Sequence, residues 1–116
     1  MIMLNRLFVK GILVSLAFHP QVSSAEEFTG EIVLGWSEEA QDHFFATSIT
    51  MTSIVVGRTG QHGELESCMT DWYTEKDVRQ ERHTYIRKKL EAYPSYHPQG
   101  IILAVIEEAC GGFAIN

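Results

Sequence analysis

Apolar residues recur at helical spacing across the first half of the chain after its leader. Phe44, Ser48, Met51 and Val55 form one row, and Phe45, Ile49, Thr52 and Val56 form its neighbour, as on one side of a helix. The stretch TSITMTSIVV, residues 47–56, is also rich in β-branched residues, which favour strands. A helix is preferred because Ser37, followed by Glu38 and Glu39, makes a capped start with acids at the positive end of the helix dipole, and because the segment outruns an ordinary strand. Gly57 is its predicted end. Ala46, Ser48, Thr50, Thr52 and Ser53 are small enough to admit a second helix at close range. Upstream, EEFTGEIVLGW lacks helical periodicity and reads as an extended arm or a short strand.

The glycines of GRTGQHG, residues 57–63, predict a loop. Leu65, Cys68, Met69 and Trp72 then share one face of a helix over 64–73, with Trp72 and Tyr73 as core anchors whose polar tips reach the surface. Thr74 and Asp77 predict a capping box opening the next helix, which runs to about Tyr93 and carries Val78, Tyr85, Ile86, Leu90 and Tyr93 on its apolar side. Arg82 and Lys89 project into that apolar arc, their stems lying along the core or their heads pairing with acids on a neighbouring helix. Pro94 ends the helix, His97 and Pro98 start another, and Gly111–Gly112 closes it. Ile101 to Ile106 is apolar all round, which suits a buried helix; periodicity alone also permits a buried strand. The fold class is mainly α: a small bundle of about four helices, with a possible short N-terminal strand.

The first 25 residues stand apart. Arg6 and Lys10 precede an apolar run, and Ser23 and Ala25 are small residues at the positions a signal peptidase accepts. A secretory signal peptide over 1–25 and one domain over 26–116 are expected, because the apolar run is short of the roughly 20 residues that span a bilayer. That places the domain in the periplasm. Cys68 and Cys110 then lie in an oxidising compartment, and a Cys68–Cys110 disulfide is the leading pairing; two free thiols and an intermolecular bridge are the alternatives. A domain of this size draws much of its net stability from such a staple.

Charge narrows the partners. Of nine Lys and Arg, Arg6 and Lys10 fall in the leader, whereas none of the fifteen Asp and Glu do. An acidic surface disfavours nucleic acid and anionic membranes and suits a basic protein partner. Arg79, Arg82, Arg87 and Lys88 scatter around the axis of their helix and make no stripe for a polyanion.

No catalytic motif emerges. His43, His62, His83 and His97 fall on separate elements without metal-ligand spacing, and are expected on surfaces or in loops. There is no nucleophile elbow, Glu107 and Glu108 point to different sides of a helix, and GRTGQHG lacks the lysine of a phosphate loop. No cofactor and no metal are expected, and the chain reads as a binding protein rather than an enzyme. The four histidines would gain charge near pH 5, reducing the net negative charge and weakening contacts with a partner. The elbow YPSYHP offers the first partner surface: Tyr93, Ser95, Tyr96 and His97.

The order of elements, with Cys68, Leu90, Tyr93, Pro94, His97, Ile102, Leu103, Ala104 and Cys110, resembles the Rap/Tai-type immunity proteins of type VI secretion systems over about residues 48–110. CMTDW stands where that family has Cys-x-Pro, and ACGG where it has Pro-Cys. The resemblance implies a disulfide-closed helical bundle that inhibits a peptidoglycan-degrading effector in the periplasm by entering its active-site cleft. An HdeA-like acid-stress chaperone, also small, helical and single-disulfide, is the alternative, and a structural periplasmic protein a third.

Overall fold

The computed structural model describes residues 27–60 and 63–113. The signal peptide expected over 1–25 and His62 lie outside the described residues. Among the described residues five helices follow in order: α1 Gly30–Leu34, α2 Glu38–Thr59, α3 Gly63–Tyr73, α4 Lys76–Ala92 and α5 Pro98–Cys110. The chain is a mainly α bundle, with no strand among the described residues, closed by a disulfide between Cys68 and Cys110 whose Cα atoms are 5.7 Å apart.

The segment expected as an arm or strand is instead α1. A five-residue helix has no stability of its own, and Thr29 makes no side-chain cap. Its first amides are satisfied from far along the chain: Gly30 N–H donates to the Tyr96 carbonyl at 2.9 Å and Glu31 N–H to the Pro94 carbonyl at 3.0 Å. The helix thereby docks on α4 and buries Val33.

Ser37 caps α2 as expected, its Oγ accepting from Ala40 N–H at 3.2 Å. The β-branched stretch 47–56 is helix. Thr47 and Thr52 turn their hydroxyls back to the His43 and Ser48 carbonyls, while Ile49 and Val56 enter the core. Gly57 does not end α2. The helix continues to Thr59 and stops at Gly60, whose φ of +69° is the left-handed turn glycine favours. The predicted loop shrinks accordingly, because α3 begins at Gly63.

α3 buries Leu65, Met69 and Tyr73, with Trp72 half-buried beside them. The capping box at Thr74 and Asp77 does not form. Thr74 Oγ1 bonds back to the Thr70 carbonyl, and α4 starts behind Glu75 with no side-chain cap. The buried face of α4 is His83, Ile86 and Leu90, whereas Tyr85 and Tyr93, expected on the apolar side, are exposed. His97 and Pro98 start α5 as expected, His97 Nδ1 accepting from Gln99 N–H at 3.2 Å. Residues 101–106 are helical, but not buried all round. Ile102, Val105 and Ile106 face the core; Leu103 and Ala104 face outward. The core joins these residues to Phe45, Ile49, Met69, Ile86 and Leu90. No helix among the described residues is long and apolar enough to cross a membrane.

Candidate functional site

The elbow between α4 and α5 is pinned on three sides. Tyr93 N–H closes α4 onto the Lys89 carbonyl at 3.0 Å, His97 caps α5, and the Pro94 and Tyr96 carbonyls hold α1. Every residue from Tyr93 to His97 is nevertheless exposed, Tyr96 by 60% and Tyr93 by 48%. The two tyrosines meet edge to face at 5.8 Å. They border a cleft of about 390 Å³ that also takes in Ile101, Ala104 and Val105. Lys89 and Glu108, 3.6 Å apart, mark its rim. The Lys89 ammonium also lies 5.4 Å from the centre of the Tyr85 ring, and its pKa is raised by the Tyr85 hydroxyl and by Glu108. His97 has a second structural task, its ring 5.4 Å from that of Phe28, within an aromatic group that includes Trp36 and Phe44. Of the four residues predicted at this surface, Tyr93 and Tyr96 line the cleft, Ser95 is exposed beside it, and His97 serves the fold.

The basic residues of α4 are largely occupied by aromatic faces. The guanidinium of Arg79 lies over Tyr73, that of Arg82 over Trp72 and that of Arg87 over Phe45, at 5.4, 5.2 and 5.5 Å from the ring centres. Arg79 and Arg82 also donate from Nε to the Tyr73 and Trp72 carbonyls, at the negative end of α3. Arg82, one of the two cations read as entering the apolar arc, lays its charge on an aromatic ring and a carbonyl; Lys89, the other, pairs with Glu108 on α5.

A polar chain that sequence reading missed crosses the core. His83, expected at a surface or in a loop, is only 4% exposed. Its Nδ1 lies 3.0 Å from an Asp42 carboxylate oxygen and its Nε2 lies 2.6 Å from the Tyr73 hydroxyl. A carboxylate only accepts, so Nδ1 carries the proton and Nε2 accepts from Tyr73. Arg87 donates to Asp42, and from Nε to Gln41 Oε1 at 2.7 Å; Gln41 in turn donates to the Leu34 and Trp36 carbonyls. One chain of bonds thus ties α3, α4, α2 and the α1–α2 turn. Burial lowers the His83 pKa, opposed by Asp42 and reinforced by Arg87 and Arg79. Burial also raises the Tyr73 pKa. The Asp–His–Tyr order looks like a nucleophile with its base, but burial disfavours the tyrosinate and leaves Tyr73 only 8% exposed. The signal for His83 was in the sequence: with Ile86 and Leu90 it occupies one arc of about 60° on α4 at 100° per residue.

Among the described residues no group of three or more His, Cys, Asp and Glu converges to hold a metal ion. No protein-family model matches the chain, and no curated protein and no solved structure matches it.

Proposed function

We propose that the chain is an exported, non-catalytic protein-binding domain acting in the periplasm as an immunity-type inhibitor of a cell-wall-degrading effector. The observation that carries this reading is the elbow. Tyr93 and Tyr96 are large aromatic side chains held out on a backbone pinned to α1, α4 and α5, beside an apolar cleft. Rigid, exposed aromatics over a preformed cleft are the usual anchors of a protein interface, because little conformational freedom remains to be lost on binding. The resemblance to Rap/Tai-type immunity proteins rests partly on this same elbow and on the paired cysteines.

The test is affinity capture from a periplasmic extract with the wild-type chain and with Tyr93→Ala/Tyr96→Ala. The wild type is expected to retain a peptidoglycan hydrolase whose activity on purified sacculi is lost at one equivalent of inhibitor. The double variant should bind at least tenfold more weakly, a cost of about 1.4 kcal/mol or more. Recovery of denatured clients alone, or a hydrolase left fully active, removes the proposal.

A further inference from the structure

We propose that His83 is an acid-sensitive latch whose protonation frees the Tyr73 end of α3 from α4, while the Cys68–Cys110 bond keeps the rest of α3 tied to α5. This inference is independent of the proposed function.

The geometry supplies both halves of the device. In the neutral state each imidazole nitrogen has one partner and each bond crosses between helices: Nδ1–H to Asp42 on α2, and Nε2 from Tyr73 on α3. A second proton on Nε2 requires the Tyr73 hydroxyl to reverse from donor to acceptor, so its hydrogen loses the His83 nitrogen, its partner in the neutral state. The charge environment works the same way. The groups facing the ring are Asp42 from α2, Tyr73 from α3, and Arg79 and Arg87 from α4 itself. Once the ring is charged, it shares the Asp42 carboxylate with Arg87, and Arg79 adds a further positive charge nearby. Moving the Tyr73 side chain outward relieves both faults, because water then reaches the ring.

The opening is confined by what surrounds it. Cys68 lies in the middle of α3 and is fixed to Cys110, so the freed part is Met69–Tyr73 and the turn at Thr74–Glu75. Arg79 and Arg82 hold carbonyls at this end, but Arg79 is exposed and Arg82 half-exposed, and water replaces such bonds at little cost. Tyr73 and Met69 also line a cleft of about 250 Å³ between α2 and α3, bordered by Ile49 and Ile54. Opening widens this cleft and exposes apolar surface beside it.

The sign follows from linkage. His83 has a folded pKa below its unfolded value of about 6.5, so the open form binds the proton more readily. The closed form is therefore fully favoured above about pH 6.5, and its advantage is lost as the pH falls from there through the folded pKa. With one proton taken up, the opening equilibrium rises by at most about tenfold per pH unit in that window.

The experiment follows the disulfide-bonded chain between pH 7.5 and 5 by imidazole NMR titration and by amide exchange corrected for its intrinsic pH dependence. Fluorescence is read in Trp36→Phe, which leaves Trp72 as the sole tryptophan. The His83 resonance should titrate below 6.5. Protection at 69–75 should fall several-fold while that of α5 holds, and the Trp72 signal should change over the same range. His83→Gln should abolish the response although His43 and His97 remain. Arg79→Gln, which removes one facing cation together with a bond to the Tyr73 carbonyl, should raise the imidazole midpoint. A His83 midpoint at or above 6.5, uniform loss of protection in every helix, or an undiminished response in His83→Gln would each overturn the latch. Should His83→Gln fail to fold, the wild-type titration and Arg79→Gln decide the matter.

Discussion

The polar chain through the core shows how much depends on single hydroxyl and imidazole groups. Tyr73→Phe keeps the ring but leaves His83 Nε2 buried without a donor, and an orphaned buried acceptor costs about 1–3 kcal/mol. Urea unfolding at pH 7.5 should show that loss with an unchanged m-value; a loss under about 0.5 kcal/mol would mean water takes the place of the hydroxyl. Residue identity was partly legible in advance. Ser37 was legible as a cap and His97 as the residue before α5, because helix starts depend on near neighbours in sequence. His83 shares the buried arc of Ile86 and Leu90, which the sequence shows, but its partners Asp42 and Tyr73 lie on two other helices, distant in sequence.

At the scale of the element, two glycines make opposite predictions. A Cβ at Gly30 would come within 3.1 Å of Leu90 Cδ2 and 3.6 Å of the Pro94 carbonyl, and Leu90 is fully buried and has no room to give. A Cβ at Gly57 would meet only the carboxylate end of exposed Glu66, which can swing away. Thermal unfolding should therefore show Gly57→Ala raising the Tm by a few degrees, as expected for removing a glycine from a helix interior at about 0.5–1 kcal/mol, and Gly30→Ala lowering it. Equal shifts of the same sign would contradict the packing described. The helices α3, α4 and α5 were legible because apolar periodicity and Pro or Gly punctuation agree there. The C-terminal end of α2 and the start of α4 were not. Gly57 reads as a stop until α3 is seen packed against it, and Thr74 spends its hydroxyl on the preceding helix rather than the following one. α1 was illegible because its stability comes from elbow carbonyls, not from its own sequence.

For the whole molecule, the disulfide spans a sequence separation of 42 residues and encloses all of α4. Closing a loop of that length stabilises the fold by about 4 kcal/mol in the chain-entropy treatment. Reduction should accordingly lower the Tm by more than about 10 °C, and a shift under about 3 °C would show that packing alone carries the bundle. The charge distribution adds to this dependence. Among the described residues Asp42 and Glu108 are the carboxylates in ion pairs, leaving a mostly acidic exterior whose self-repulsion the core and staple must offset. The bundle class and the cysteine pairing were legible from composition and spacing; the elbow cleft was foreseen only as exposed tyrosines.

The dependence of α1 on the Pro94 and Tyr96 carbonyls also sets an order of assembly. Synthesis delivers the N-terminal end first, yet the partners of Gly30 and Glu31 arrive only after α2, α3 and α4 have been made. The first of the described helices to be made is thus the last to form, and until then the chain lacks the clasp that joins α1 to the elbow. A sequence built this way shuts its clasp only when the elbow has been made.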